Sequence, residues 1–453
     1  MNTVRRWVDI LGLPILAAAL AAGVAVLPSP SSEDGSTRRV KVTQTTYACP
    51  ADDDTTWGLG QIEAGTERRL LARGTGDTTS SDADRWSVVA PGTDQAVVVQ
   101  DGSGSGAAGF YASVRRTSAG GGLSVGHCPG VADDEWFLGL GSADKRSSTL
   151  VLTNMSDTPA VADVSLWNSQ GVVDAVHAKG ISVKPFAVRR IAVSDLAAGE
   201  PGMALRLERR RGLLSAVVQD SSTATFAGTE PIEGSLSPRK DQLIPGIDGG
   251  ARGKTLLLLN PGQQTARVAV STFSADGPLA AEGLQDVKVK PGRYRELTVP
   301  AAAGGGRQAW HVTSDQPVAA AVRVSPNPKD FAVAESGSVL DGPAIVPVEL
   351  GSGVSEPRLL LTAPGETATA TVVAYDSRMR ELGRTKVEIG ARTTARVKTA
   401  SVAEDGPPAY LLVLPEGRAP LVGAATYTDG DRVSSLRLIS APTTIEVPVV
   451  RPD

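Results

Sequence analysis

Ser148-Thr-Leu-Val-Leu-Thr-Asn154 is a short run of leucine, valine and threonine, the composition of a β-strand, and the chain repeats it. The second copy reads Lys254-Thr-Leu-Leu-Leu-Leu-Asn260 and the third Pro357-Arg-Leu-Leu-Leu-Thr-Ala363. After a turn, each is followed by a strand ending in an aromatic: Val164-Ser-Leu-Trp167, Val270-Ser-Thr-Phe273 and Val372-Val-Ala-Tyr375. An alternating hairpin comes next. It reads Ile181-Ser-Val-Lys-Pro185 with Val188-Arg-Arg-Ile-Ala-Val193, then Val287-Lys-Val-Lys-Pro291 with Tyr294-Arg-Glu-Leu-Thr-Val299, then Val387-Glu-Ile389 with Thr394-Ala-Arg-Val397. Each copy closes on small residues: Ser215-Ala-Val-Val-Gln219, Ala319-Ala-Ala-Val-Arg323 and Val422-Gly-Ala-Ala-Thr426. The spacing, about 100 residues, is that of a domain and not of a propeller blade.

A fourth, degenerate copy precedes these. Ala96-Val-Val-Val-Gln100-Asp101 echoes Ala216-Val-Val-Gln219-Asp220, and a Gly/Ser/Thr-rich stretch follows each. Those stretches lead into Trp136-Phe-Leu-Gly-Leu140, Gln242-Leu-Ile-Pro-Gly246 and Ala344-Ile-Val-Pro-Val348 as opening strands. Seven or eight half-buried strands per copy, bounded by Gly, Pro and Asp, predict an all-β protein of tandem immunoglobulin-like β-sandwich repeats, three clear and one degenerate. The expected boundaries are 38–132, 133–238, 239–341 and 342–453. A continuous structure in which the leading strands cross between repeats is the alternative.

Composition agrees. A chain of 453 residues exceeds one ordinary domain, and 41% hydrophobic residues suffice for a core. Low aromatic content (4%) with 49 Gly and 30 Pro suits short strands and tight turns. Net charge is −4, from 45 basic and 49 acidic residues, which argues against a nucleic-acid partner.

Arg5 and Arg6 precede an apolar run, Ile10 to Leu27, followed by a Pro/Ser-rich linker over 28–37. The pattern predicts a single N-terminal membrane helix over 1–27 that leaves the rest of the chain extracytoplasmic. A cleaved signal peptide is the competing reading; Val24-Ala25-Val26-Leu27 runs straight into Pro28, which favours an uncleaved anchor. In an exported chain the two cysteines, Cys49 and Cys128, are expected to form a disulfide. Its loop of about 80 residues contributes about 4.5 kcal/mol in the loop-entropy description.

The array of Trp136-Phe137, the Ser148–Asn154 strand, Asp163-Val-Ser-Leu-Trp167 and Ser215-Ala-Val-Val-Gln-Asp220 resembles an uncharacterised family of actinobacterial, membrane-anchored secreted proteins, a domain of unknown function. The resemblance implies an envelope role and supplies no substrate, cofactor or catalytic residue.

The residues themselves point to no chemistry. His127, His177 and His311 fall in three different copies without a carboxylate or cysteine at ligand spacing, except that His127 adjoins Cys128, and no metal or other cofactor is expected. Ser142-Ala-Asp-Lys145 and Ser237-Pro-Arg-Lys240 match a penicillin-binding string but lack its companion motifs. Asp52-Asp53-Asp54 and Asp133-Asp134-Glu135 each follow a cysteine, and a disulfide would gather them at one end of the first domain, where calcium is the cation to consider. Glu208-Arg-Arg-Arg-Gly212 is expected at a hairpin tip, aligned with Thr313–Pro317 and Leu414–Gly417, and Asn154-Met-Ser156 matches a glycosylation sequon that carries no weight in a bacterial chain.

The reading is a non-enzymatic scaffold or binding protein of the cell envelope, its repeats projecting about 100 Å if stacked end to end. Its partners would be the membrane, through the N-terminal helix, and an envelope protein or wall glycan. A carbohydrate-binding array is the alternative and requires Trp167, Phe273 and Tyr375 to face solvent. An enzyme with an unfamiliar site is the third.

Overall fold

The computed structural model describes residues 37–448 apart from 51–53, 64, 66, 91–94, 102–105, 116–120, 176, 225–226, 249–252, 301–306, 328, 352 and 442. The expected anchor at 1–27 and most of the linker at 28–37 lie outside them. Among the described residues no helix is long and apolar enough to cross a membrane.

Strand β1 (Thr37–Lys41) pairs antiparallel with the last strand, β35 (Thr444–Pro448), as a separate two-stranded sheet. It therefore does not belong with residues 42–132, nor β35 with 342–443, as the expected boundaries had them. Residues 42–443 form one compact unit.

Within it, the described strands fall into four groups of the same plan. The first holds β2 (Gln44–Ala48), β3 (Thr55–Gly60), β4 (Glu67–Ala72), β5 (Thr78–Ser81), β6 (Ser87–Val89), β7 (Gln95–Asp101), β8 (Ala108–Arg115) and β9 (Gly122–His127). These make two sheets, ordered β2-β7-β4-β5 and β6-β3-β8-β9. The second group comprises β10 (Asp134–Leu140), β11 (Arg146–Asn154), β12 (Ala160–Trp167), β13 (Val172–Val173), β14 (Ile181–Val183), β15 (Val188–Ala192), β16 (Met203–Arg211), β17 (Leu214–Ser222) and β18 (Gly228–Ile232). Its sheets run β10-β16-β12-β13, with β14 also on β12, and β15-β11-β17-β18.

The third group has β19 (Arg239–Ile244), β20 (Gly253–Asn260), β21 (Ala266–Ser274), β22 (Gly277–Ala280), β23 (Val287–Val289), β24 (Arg293–Thr298), β25 (Ala309–Asn327) and β26 (Asp330–Glu335). Here β25 serves as two strands. Its first part pairs with β19 and β21, and from Ala319 it pairs with β20 and then β26. The fourth group, β27 (Ala344–Pro347), β28 (Arg358–Ala363), β29 (Ala368–Tyr375), β30 (Glu381–Ile389), β31 (Thr393–Lys398), β32 (Tyr410–Glu416), β33 (Val422–Asp429) and β34 (Arg432–Arg437), gives β27-β32-β29-β30 and β31-β28-β33-β34. In strand positions, every group reads first-sixth-third-fourth and fifth-second-seventh-eighth. Each leading strand pairs with the sixth position of its own group, so no leading strand crosses between groups.

Three sequence expectations are corrected. The valine run at 96–100 is β7, a sixth strand, whereas Ala216–Gln219 lies in β17, a seventh. Both positions are central and valine-rich, and composition does not separate them. The segments read as hairpins, such as 181–185 with 188–193, are arches: β14 lies on β12 and β15 on β11, in opposite sheets. The arginine tip at 208–212 is likewise an arch, from β16 in one sheet to β17 in the other, and its counterpart at 313–317 is continuous strand.

The groups are also not strung end to end. In each, the outer face of the fifth-second-seventh-eighth sheet packs on the preceding group, and the first group packs on the fourth. This explains Leu256–Leu259, four consecutive leucines all fully buried: alternate ones face the core of their own group, while Leu257 and Leu259 join the core of the second. The four junctions repeat one contact between the start of a fifth strand, or the residues just before it, and the end of a neighbour's third strand or the turn after it. Gly74 N–H donates to Phe186 O at 2.9 Å, Tyr294 N–H to Asn168 O at 3.0 Å and Trp86 N–H to Ser377 O at 2.9 Å; Thr394 Oγ1 donates to Phe273 O at 2.6 Å. The groups thus close a ring, with the eighth strands meeting at its centre, β9 on β18, β18 on β26, β26 on β34 and β34 on β9.

Candidate functional site

Two of the four eighth strands carry carboxylates in runs that are otherwise apolar and small: Gly228-Thr-Glu-Pro-Ile232 and Asp330-Phe-Ala-Val-Ala-Glu335. Burial of these strands on both faces takes the acids out of water, where a carboxylate must be matched or protonated. Glu230 and Asp330 are fully buried. Asp330 Oδ2 accepts from Leu123 N–H at 3.3 Å and Val433 N–H at 3.0 Å, and Oδ1 accepts from Phe331 N–H at 3.0 Å. Glu230 Oε1 accepts from Ser435 N–H at 3.1 Å, and its Oε2 lies 2.7 Å from Ser434 Oγ. That hydroxyl also accepts from Val125 N–H at 2.9 Å.

At the other end of the strands, corresponding positions hold His127, Glu233, Glu335 and Arg437. His127 Nδ1 lies 3.0 Å from Glu233 Oε2, and its N–H donates to Glu233 Oε1 at 2.6 Å. Glu233 N–H donates to Glu335 Oε1 at 3.0 Å, and Arg437 donates to the carbonyls of Ser336 and Gly234 at 2.6 and 3.0 Å. Burial pushes Asp330 and Glu135 up to about 7, and burial with the charge of Glu233 pushes Glu335 up to about 8. Burial raises Glu230 well above the ordinary range. For Glu233 burial works upward too, but the His127 ring and Arg437 together hold it below its ordinary value.

Beside this centre lies a mostly apolar cavity of about 200 Å³, lined by Tyr47, Phe110, His127, Cys128, Ile345 and Ile439 among others. It sits between the first and fourth groups, next to the disulfide. Cys49 and Cys128 are bonded, 79 positions apart, joining the ends of β2 and β9 across the first group's two sheets.

The other sequence candidates are structural. Asp52 and Asp53 lie outside the described residues. Asp134 is held by Arg206 Nε at 2.7 Å and Asp133 by Arg209 Nε at 2.9 Å, so neither carboxylate stands free as a cation ligand. Arg210 Nε donates to Asp163 at 2.8 Å, leaving Arg211 exposed at the tip. His311 Nε2 lies 3.0 Å from Asp241, and His177 is exposed. Ser142 Oγ donates to Ala197 O and accepts from Glu200 N–H, while Lys145 is exposed. Asn154 is fully buried, its amide donating to the carbonyls of Thr158, Val183 and Lys184; Asn260 repeats this with Gln264 and Val289. That asparagine is a turn brace. Trp167 and Phe273 are buried, and Tyr375 is half-buried against Tyr410 with ring centroids 5.3 Å apart. The outward aromatic platform that a sugar-binding array needs is not formed by these three residues.

The centre was invisible to sequence reasoning because its members come from four repeats: His127 and Glu233 are 106 positions apart. The available signal was an acid inside a buried-looking strand.

Fold and centre together define an all-β protein of sandwich-like antiparallel sheets with a disulfide, whose buried ionisable groups sit where its repeats meet. Residues 87–400 match the model of a family of unknown function (DUF5719), and the chain belongs to that family. No curated protein matches the sequence.

Proposed function

We propose that this is a membrane-tethered, extracytoplasmic binding or scaffold protein of a bacterial cell envelope, non-enzymatic and built from four immunoglobulin-like sandwiches. The observation that carries this reading is the use made of the central acids. Glu230, Glu233, Asp330 and Glu335 accept hydrogen bonds from other groups across the ring, so they act as joints. The disulfide suits an oxidising compartment. Arg5 and Arg6 ahead of the apolar run suit a cytoplasmic N-terminus with the bulk outside, and the family resemblance read from the repeats suits an actinobacterial envelope. First-sixth-third against second-seventh-eighth corresponds to the B-E-D and C-F-G sheets of an immunoglobulin domain without its A strand. Recognition by loops at the sandwich ends is the mode such a scaffold favours, with an envelope protein or wall polymer as partner.

The test is fractionation of the full chain from its native cells, with external protease and in-cell crosslinking. Membrane recovery, cleavage from outside and a defined crosslinked envelope component are expected. A cytosolic chain with reduced cysteines would overturn the reading.

A further inference from the structure

We propose that the centre of the ring is a proton-gated latch: it closes with protons on its carboxylates, and their ionisation loosens the joint between the first and fourth groups. This goes beyond the scaffold reading and does not depend on it.

The joint between the first and fourth groups is the one that chain continuity does not make. Acids from the other two groups brace it. Asp330, from the third, receives both Leu123 N–H of the first and Val433 N–H of the fourth. Glu230, from the second, receives Ser435 N–H of the fourth and lies against Ser434 Oγ, which itself receives Val125 N–H of the first. Asp330 thus holds β9 and β34 together from outside both, and Glu230 braces the Ser434 hydroxyl through which β34 meets β9.

Counting charge gives the direction. The groups facing this centre are His127 from β9, Glu230 and Glu233 from β18 and its end, Asp330 and Glu335 from β26, Arg432 and Arg437 from β34, and Glu135 from β10. Asp133 and Asp134, beside Glu135, are already matched by Arg209 and Arg206. Five carboxylates therefore face three cations, even with His127 charged. Arg432 is shared besides with Asp429, at 3.3 Å. At least two acids have no cation, and a desolvated acid in that position keeps its proton.

A closed ring then binds more protons than an open one, so its stability falls as pH rises. The stabilisation is complete below the ordinary carboxylate range and is lost as pH climbs through about 7 for Asp330 and Glu135 and about 8 for Glu335. Glu233, held low by His127 and Arg437, works in the opposite sense but only at acid pH, as it protonates. The two windows do not overlap.

The experiment is amide hydrogen exchange on the full chain in detergent, from about pH 5.5 to about pH 8.5, corrected for intrinsic exchange. The amides of Leu123, Val125, Val433 and Ser435 are expected to lose protection by about tenfold or more across that range, while those of β12 hold theirs. The pair Glu230→Gln with Glu335→Gln, which mimics the protonated acids, is expected to keep protection at the alkaline end. A flat wild-type profile overturns the proposal, and so does a Gln pair whose protection falls as the wild type's does. Should the pair not fold, Glu230→Gln alone, whose amide can accept from Ser435 N–H and donate to Ser434 Oγ, is held to the same outcome.

Discussion

The indole N–H of Trp86, in the first group, donates to the backbone carbonyl of Glu349, in the fourth, at 3.1 Å and across 263 positions of sequence. The same ring stacks on Tyr410 with centroids 5.4 Å apart. Trp86 is therefore the plug that closes the ring. It leads into β6, as Phe186 leads into β15 at another junction.

Trp86→Ala is expected to cost about 3–5 kcal/mol, the range for removing a buried tryptophan. Because the ring closes there, the loss is expected to appear as early opening between the first and fourth groups. Urea unfolding followed by limited proteolysis would show cleavage near β6 and β27 before the second group yields. Trp86→Phe keeps the stacking but not the hydrogen bond, and is expected to be milder.

Asp220 is fully buried and bridges two groups. Its Oδ2 accepts from Arg323 Nη2 at 2.7 Å and Arg146 Nη2 at 3.2 Å, while Oδ1 lies 2.6 Å from Ser148 Oγ. Asp220→Ala leaves the largely buried guanidinium of Arg323 without its carboxylate and Arg146 with only Glu296, at 3.4 Å, for an expected loss of about 3–5 kcal/mol. The second variant, Arg323→Met with Asp220→Asn, removes one charge of each sign and is expected to recover much of that loss in the same chemical denaturation.

Gly122 begins β9 against the second group, and a Cβ placed there would lie 2.5 Å from the backbone nitrogen of Thr229. Backbone cannot yield as a flexible side chain can. Gly122→Ala is expected to destabilise by about 1–3 kcal/mol, read as a lower urea midpoint, whereas Gly180→Ala, with nothing within 4 Å, carries only the strain of its positive φ.

Replacing Cys49 and Cys128 together by Ala is expected to cost about 4 kcal/mol through the freed loop, less any strain relieved. The loss should concentrate in the first group, whose own core, around Tyr47, Trp57, Leu59, Leu70, Val98 and Tyr111, is small. Hydrogen exchange in β3 and β8 is the readout, and equal loosening of the fourth group would count against it.

The sequence by itself determined that the chain is all-β, that its unit repeats and where most strands lie. Those features are local: apolar alternation, turn residues and the recurrence of Ser148–Asn154 at 254–260 and 357–363. It also indicated the disulfide, because two cysteines in a chain read as exported have one obvious use. Partners were not legible. A hairpin and an arch carry the same alternation, so β14 and β15 read as a pair although they lie in opposite sheets. Leu257 and Leu259 read as half of an ordinary buried strand because nothing in a local window says that another repeat covers the outer face. Only the tertiary structure decided that the repeats close on themselves, and with that closure it decided the chemistry of the centre. Glu230, Asp330 and Glu335 are unremarkable acids in sequence; they hold their protons to higher pH because four distant strands remove their water at one place.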